Sequence, residues 1–591
     1  MSHIISDLHI KNYKSIIDHS FQFTNFTPLV GYNNAGKTTI LESIKWILKK
    51  YSLDITCFNN SDHPIEMTAV IEGISEEVLE NIEAQHRVRI EPFLVDEKLT
   101  VKRIQEIPGQ GVPQIRLYVK KVNFAEGEDP WQLNPTGIDN AIKDLFPEPI
   151  HISGMENSED DVSKYKASNT IGKLLGEIIG PIEEQYGAQV RGVFDGLKKL
   201  LDADGEDRAP ELTTFDTQVN EKINAFFPDI NIKVHVPSPE LKEVFTRGTL
   251  KVYENGQGPG RDFSSLGHGA QRSIQMALIR HLADTKKAVG NSTTTTLLLV
   301  DEPELYLHPQ AIEILRQSLK LLSTEGYQVI FTSHSPFMIT QDDIKNTVLI
   351  RKDHRGTYKR NTLKYAVPQI EAEAAHQLTL MYSLSHSSSI LFSEKVILVE
   401  GKTENKLLPA IIEKISGKSL GLHKCAMVQL GGSGSTKKGK QVLNVMDLPT
   451  KAIVDLDYAM TKGIKEGFLI DTDADIAACK SELANIAAAN GIEIGTTGWP
   501  VGNATMSAAK GFAILAAQPV IQVNIENIKQ KMLLHNIWIW KKGTIENHLD
   551  LQGKDEAIWA SFNLDLQSNA IEVILPNDHL EITNCVNWLV N

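Results

Sequence analysis

The chain has 591 residues, 41% of them hydrophobic and 23% charged, a balance that excludes disorder and fits a globular protein of roughly three or four domains. A net charge of −14 repels nucleic acid on average, so any contact with DNA needs a local basic surface or bound metal ions. No apolar run approaches the ~20 residues that span a bilayer, and the chain start lacks a basic segment followed by an apolar one, so no membrane contact and a cytoplasmic location are expected. The four scattered cysteines (Cys57, Cys425, Cys479, Cys585) form no CxxC pair, which suggests neither a zinc knuckle nor disulfides.

Ile4 to Phe23 alternates loosely between apolar and polar residues, predicting a hairpin that leads into a strand at Thr27–Val30. Gly31-Tyr32-Asn33-Asn34-Ala35-Gly36-Lys37-Thr38-Thr39 follows, and then the apolar-periodic stretch Ile40–Leu48. This is a GxxxxGK[ST] pattern between a strand and a helix, the context it requires. Its glycines let backbone amides approach phosphate oxygens, and the helix N-terminus adds positive partial charge. Nucleotide binding is therefore assigned to Gly31, Asn33, Asn34, Gly36, Lys37, Thr38 and Thr39, with Lys37 at the β- and γ-phosphates and Thr38 on Mg²⁺.

Residues 50 to about 155 read as short alternating strands (Met67–Ile71, Leu99–Arg103, Ile115–Val119), an antiparallel sheet layered on the nucleotide-binding core. From about Val162 to Phe226 the period becomes helical and the charge high, as expected of an inserted module suited to self-association or to simple packing. Phe263-Ser264-Ser265-Leu266-Gly267-His268-Gly269-Ala270-Gln271-Arg272 then opens another helix, a further anion-binding terminus in which Ser265, Gly267 and Gly269 are the candidates.

Leu297-Leu298-Leu299-Val300 reads as a strand buried on both faces, and Asp301-Glu302 follows where it leaves its sheet. Asp301 can orient a hydrated Mg²⁺, and Glu302 can polarise a water aimed at a γ-phosphate. Tyr327–Phe331 is another buried strand, ending in Thr332-Ser333-His334-Ser335, where His334 can sense a γ-phosphate. In this order the elements resemble the ABC-type ATPase heads of the SMC and RecF group, with Leu266–Gln271 as signature and a D-loop-like stretch from Glu304 to Pro309. The resemblance implies ATP sandwiched between two heads, hence a homodimer or higher homo-oligomer. No Q-loop glutamine is recognisable.

Beyond the linker, Lys395-Val396-Ile397-Leu398-Val399 delivers Glu400, a glycine turns the chain, and Glu404 opens a helix. A second strand, Met427–Leu430, runs into Gly431–Ser435, and a third spans Lys451–Asp457, with Asp455-Leu456-Asp457 at its end. Side-chain alternation along an extended segment would put Asp455 and Asp457 on one side. Gathered at one edge of a parallel sheet, these four carboxylates would repel one another unless a divalent cation held them. Lys437, Lys438 and Lys440 are candidates for flanking phosphates, or are simply solvated.

Glu-Gly-x-x-Glu, a Gly-rich loop and DxD together resemble the Toprim domain. An ABC-type head fused to Toprim resembles the overcoming-lysogenisation-defect (OLD) family of ATP-dependent endonucleases, which includes Gabija-type and retron-associated phage-defence nucleases. The resemblance implies an α/β fold: an ATPase head with an inserted helical dimerisation module, followed by a Toprim parallel-sheet domain. The expected limits are 1–155 and 246–370 for the head, 156–245 for the insertion, 371–392 for a linker and 393–591 for Toprim. It implies two-metal cleavage of DNA, with Glu400, Glu404, Asp455, Asp457 and Glu546 as ligands for Mg²⁺ or Mn²⁺. A lysine beyond the last motif stabilises the scissile phosphate in that family; of Lys541, Lys542 and Lys554, Lys542 is the candidate. A helicase, reverse transcriptase or structured RNA is a candidate defence partner. The alternatives are a non-cleaving ATP-dependent clamp and a Toprim ribonuclease acting on RNA or tRNA.

Overall fold

The computed structural model describes residues 3–133, 135–146, 149–152, 170–236, 251–253, 259–289, 295–340, 342–362, 364, 388–430 and 436–591. These form two compact units, Met1–Pro28 with Gly36–Met338, and Leu29–Ala35 with Ile339–Asn591. The expected linker and the Gly431–Ser435 turn lie largely or wholly outside the described residues.

In the first unit, strands β1 (Ile4–Tyr13) and β2 (Ile16–Gln22) form the expected hairpin, and β3 (Phe26–Val30) follows. β1 and β2 join β4 (Ile65–Glu72), β5 (Leu99–Gln105), β6 (Arg116–Lys120) and β7 (Trp131–Leu133) in an antiparallel sheet of order β2-β1-β4-β5-β6-β7. Every second side chain of β4 is buried, as alternation requires of a sheet covered on one face. A second layer places β3, β12 (Tyr327–Ser333), β11 (Thr296–Val300) and β8 (Ile150–Ile152) side by side, β11 running parallel to both its neighbours. All residues of β11 and β12 are buried, which explains the apolar runs Leu297–Val300 and Val329–Phe331. Helix α1 (Lys37–Leu48) packs Ile40, Leu41, Ile44 and Ile47 inward. Residues 170–236 include the helices α2 (Thr170–Leu201) and α3 (Pro210–Asn224). The short strands β9 (Lys251–Val252) and β10 (Arg261–Asp262) precede α4 (His268–Val289), and α5 (Pro309–Thr324) lies between β11 and β12 in sequence.

In the second unit, Leu29 and Val30 at the end of β3 pair in parallel with Val348 and Leu349 of β13 (Val348–Asp353), which forms a hairpin with β14 (Gly356–Lys359). A parallel sheet of order β16-β15-β17-β20 follows, built from β15 (Lys395–Val399), β16 (Cys425–Gln429), β17 (Thr450–Asp455) and β20 (Ile537–Trp540). The unit's helices include α6 (Lys402–Ser416), α7 (Thr436–Val445), α8 (Leu456–Met460), α9 (Ala474–Asn490), α10 (Gln522–Leu533), α11 (Ile545–His548), α12 (Glu556–Ser568) and α13 (His579–Val590). A small ribbon, β18 (Glu493–Ile494) with β19 (Pro500–Val501), falls between α9 and α10 in sequence. Ile397, Leu408, Trp538, Trp540, Trp559 and Val586 meet in one core that ties α6, α12 and α13 to the sheet. Parallel strands buried on both faces leave only their C-terminal edge free for polar chemistry.

Candidate active sites

The first cluster is assembled where α1 starts and β11 and β12 end. Gly36 precedes α1 at φ 98°, a left-handed conformation that suits glycine, and turns the chain so that Lys37 and Thr38 head the helix. Lys37 Nζ lies 2.7 Å from His334 Nε2. Thr38 Oγ1 donates to both oxygens of Asp301, at 3.1 and 3.0 Å. Thr332 Oγ1 donates to Asp301 Oδ1 at 2.5 Å and accepts from the Glu302 amide at 2.9 Å. Glu302 Oε1 is 3.0 Å from His334 Nε2, and this contact holds the Glu302 carboxyl below its ordinary value despite partial burial.

Glu304 is buried and accepts from Ser333 Oγ (2.7 Å) and from the amides of His334 (2.8 Å) and Ser335 (3.2 Å), which fixes the strand end presenting His334. Burial nonetheless pushes its carboxyl up. Arg272 on α4 donates to the carbonyls of Asp301, Glu302 and Pro303, anchoring the turn after β11. The other sequence candidates of this unit have local contacts. Ser265 Oγ donates to Asp262 O, Gly269 packs beneath the Tyr306 carbonyl, and Gly267 faces open space. None of the three is hydrogen-bonded to the Lys37–Asp301 group; Thr39 accepts Ser43 Oγ through its carbonyl. Asn33 and Asn34 are exposed on the loop, Asn34 with φ 64°. Thr332, Glu304 and Arg272 escape sequence reasoning because their partners lie about 30 residues away along the chain.

The second cluster sits at the C-terminal edge of the parallel sheet. Carboxylate oxygens of Glu400, Asp455 and Asp457 lie within 4.8 Å of one another. Glu400 Oε2 also accepts from the Asp455 amide at 3.3 Å. The expected alternation is not how the last two meet. β17 ends at Asp455, where the Leu456 amide is captured by Gly543 O at 2.8 Å, and Asp457 belongs to the first turn of α8. A strand-to-helix turn, not a period of two, brings Asp457 round.

Glu404 and Glu546 lie on the other side of Asp455, in a cavity of about 230 Å³ also lined by Gly401, Lys402, Thr403, Lys554 and Trp559. Trp540 Nε1 donates to Glu404 Oε1 at 3.3 Å, and Thr403 Oγ1 to Glu546 Oε1 at 2.5 Å. Burial, aided by Glu546 and Glu400, pushes Glu404 up to about 7. Burial likewise raises Asp455, with Glu404, Glu400 and Asp457 adding repulsion, and raises Asp457. Among the described residues Asp455 Oδ1 and Asp457 Oδ1 are buried without a hydrogen-bond donor. Buried carboxylate oxygens left without donors, amid mutual repulsion, are what a divalent cation satisfies, and an all-oxygen set fits Mg²⁺, Mn²⁺ or Ca²⁺ better than softer metals.

The lysines distribute differently from expectation. Lys542 is not brought to the cavity, because its ammonium is paired with Asp578, whose other oxygen faces His548 Nδ1 at 3.2 Å. Lys541 is held by Glu526 (2.7 Å) and Glu581 (3.2 Å). The lysine at the carboxylates is Lys554, with Nζ 3.2 Å from Glu546 Oε2. Lys440 is not available to a phosphate: it is buried and donates to the carbonyls of Thr450 (2.9 Å) and Asn536 (3.3 Å), at the starts of β17 and β20. Lys437 donates to Glu466 O at 2.6 Å.

A nucleotide-loop ATPase and a Toprim carboxylate site on one chain define the class: an ATPase joined to a metal-dependent phosphodiester-processing domain. The family described as AAA ATPase domain matches residues 4–148, and that described as AAA domain, putative AbiEii toxin, Type IV TA system matches 132–340. The family described as Overcoming lysogenization defect protein-like, TOPRIM domain matches 391–457. The chain is 36% identical over 596 residues to the Old nuclease of Escherichia phage P2, covering 99% of each. It is 24% identical to endonuclease GajA of Bacillus cereus (strain VD045), covering 78% of this chain and 76% of that protein. It is 21% identical to the OLD nuclease of Thermus scotoductus (strain ATCC 700910 / SA-01), covering 80% and 82%. The chain belongs to the OLD nuclease family. No helix among the described residues is long and apolar enough to cross a membrane.

Proposed function

We propose that the chain is an ATP-binding and ATP-hydrolysing DNA endonuclease whose Toprim carboxylates cleave phosphodiesters with Mg²⁺ or Mn²⁺. The observation that carries this is the convergence of Glu400, Asp455 and Asp457 within 4.8 Å, with two of their buried oxygens undonated. Glu400, Asp455 and Asp457 would hold one ion, and Glu404, Asp455 and Glu546 a second. Bound there, the ions supply Lewis acidity for a displacement at phosphorus. Thr403 and Trp540 fix the orientations of Glu546 and Glu404 through their hydrogen bonds. Lys554, beside Glu546, is placed to neutralise charge on the scissile phosphate, the role first assigned to Lys542.

At the head, Lys37 would bind the nucleotide's phosphates and Thr38 with Asp301 would hold its Mg²⁺. Glu302 is held ionised by His334 and orients the attacking water. Self-association through the helical insertion is supported by exposed apolar side chains there, Val193 on α2, Phe215 on α3, and Phe226 and Phe227 just after it. The boundaries given above for head, insertion and Toprim region belong to this reading, as do the signature's approach to a second copy's nucleotide and a cytoplasmic place in defence against phage.

Nicking of supercoiled plasmid by the purified protein with Mg²⁺ or Mn²⁺, with and without ATP, beside Glu400→Ala and Lys37→Ala, tests the reading. Metal-dependent cleavage lost in Glu400→Ala is the expected result. A wild type that binds DNA but never cuts it would leave the clamp as the function, and cleavage of RNA alone would redirect the activity.

A further inference from the structure

Tyr32 is the second residue of the nucleotide loop, yet its side chain turns away from the loop's phosphate-binding backbone. Its hydroxyl exchanges two hydrogen bonds with Lys352 of β13, donating to the carbonyl at 2.5 Å and accepting from the amide at 2.9 Å. The loop backbone is fastened to the same hairpin. Thr357 Oγ1 on β14 donates to Ala35 O at 2.9 Å in a buried bond. A Cβ on Gly31 would lie 2.4 Å from Ile350 O, so the backbones are already in contact and no side chain fits.

That hairpin is in turn fastened to the Toprim sheet at the N-terminal edge of its strands. Arg351, 2% exposed, donates to the carbonyls of Leu391 (3.0 Å) and Ser393 (2.9 Å), just before β15. Asn361 Nδ2 donates to Val445 O at 3.1 Å, at the end of α7. The Tyr32 ring completes the link, with Arg351 Cζ 5.9 Å and Lys424 Nζ 5.5 Å from its centroid. Lys424 immediately precedes β16, is paired with Glu394 at 2.8 Å, and accepts the Glu394 amide at 2.8 Å through its carbonyl. Glu400 directly follows the opposite end of β15.

We propose that Tyr32 and Arg351 are positioning residues that carry the state of the nucleotide loop to the start of β15, and along that strand to Glu400. The proposal rests on the reading that the loop binds ATP and the sheet carries the nuclease site. With Gly31 in contact with Ile350 O and the Tyr32 hydroxyl bonded to both the amide and the carbonyl of Lys352, the loop cannot rearrange around phosphates without displacing β13. Because β13 is tied to residues 391 and 393, that displacement reaches the Toprim strand directly. A contiguous, tightly bonded chain of this kind is a physical route for coupling, and the coupling free energy is the quantity to measure.

The experiment compares full-length wild type, Tyr32→Phe, Arg351→Met and Arg351→Lys. Hydrogen exchange of residues 388–399 is followed with and without a non-hydrolysable ATP analogue and Mg²⁺, alongside analogue affinity. In wild type the analogue changes exchange in this segment. Tyr32→Phe removes only a hydroxyl and should at least halve the response, Arg351→Met should abolish it, and Arg351→Lys should restore part of it. Analogue affinity should stay within about threefold, because the Tyr32 hydroxyl and the Arg351 guanidinium are engaged by Lys352, Leu391 and Ser393. In plasmid cleavage the ratio of rates with and without ATP moves towards unity in the same variants. If Arg351→Met does not fold, Tyr32→Phe decides. Analogue binding with no exchange response in wild type, or a full response in Tyr32→Phe and Arg351→Met, overturns the proposal. Failure of wild type to bind the analogue overturns the reading of the loop and this proposal with it, whereas failure to cut DNA leaves the exchange result standing.

Discussion

Lys37 Nζ lies 2.7 Å from His334 Nε2, and that same nitrogen is 3.0 Å from Glu302 Oε1. The lysine only donates and the carboxylate only accepts, so one imidazole nitrogen cannot serve both at once. A bare Nε2 accepts from Lys37; a protonated one donates to Glu302. Phosphate oxygens that draw Lys37 away therefore hand His334 to Glu302. On this basis His334→Ala lowers ATP hydrolysis by about 10²-fold while nucleotide affinity changes little, the usual range for a residue that assists proton transfer. Phosphate release and titration with a fluorescent ATP analogue measure the two separately; an unchanged rate in His334→Ala would remove it from the chemistry.

Removing a carboxylate from the Toprim edge should help the metal-free fold. Asp455 is buried and repelled by Glu404, Glu400 and Asp457. Asp455→Asn is expected to stabilise the chelator-treated protein, because the amide carries no charge to be desolvated or repelled. The rise in Tm that Mn²⁺ produces in wild type should disappear in the same variant. Thermal unfolding in chelator and in Mn²⁺ checks both, and an Asn variant less stable in chelator contradicts the repulsion.

Stability without metal should fall as pH rises through the weakly acid range. Burial raises Glu404 from 4.5 to about 7, so between those values the folded chain holds a proton that the unfolded chain has released. The unfolded state then binds fewer protons than the native one, and the slope of unfolding free energy with pH is negative. The contribution is fully present below the unfolded value and gone above the folded one. Saturating Mn²⁺ takes the protons' place and should flatten or reverse the slope. Urea denaturation at several pH values, with and without Mn²⁺, reads it out.

Two nearby lysines should separate cleanly. Lys554 lines the cavity beside Glu546, whereas Lys542 is engaged by Asp578. Lys554→Ala is expected to slow cleavage by about 10²-fold, as loss of one charge-stabilising donor does. Lys542→Ala should leave the rate within about threefold and shift stability by no more than ~1 kcal/mol, because its ammonium is half exposed. Initial nicking rates of the two variants decide, and the reverse ranking would return the role to Lys542.

What was legible beforehand followed from local pattern. The apolar runs Leu297–Val300, Val329–Phe331, Val396–Val399 and Ile537–Trp540 mark buried strands, and the glycine-rich turn before Lys37 marks a strand-loop-helix unit. The carboxylates at the strand ends were legible for the same reason, since a buried parallel strand can present charge only where it stops. Contacts between distant segments were not. Lys542 and Lys554 look alike until Asp578, far along the chain, claims the first. Glu304 reads as a turn residue until Ser333 and the His334 amide are seen to converge on it. Lys440 reads as solvated until two carbonyls at strand starts enclose its ammonium. The geometry of Asp455 and Asp457 was misjudged because β17 stops at Asp455, two residues short of the end that strand alternation assumes.

Glu302 holds φ at 45°, in the left-handed region, where a side chain with a Cβ sits at a disadvantage of roughly 1 kcal/mol or more. On the role proposed for Glu302, a need for hydrolysis would keep the glutamate there against that local penalty. In a lineage that came to need only nucleotide occupancy, nothing would oppose replacement by glycine or asparagine, both at ease in that conformation. The residue at this position would then record, across descendants, which of them still turn ATP over: glutamate where turnover is under selection, and glycine or asparagine where it has lapsed.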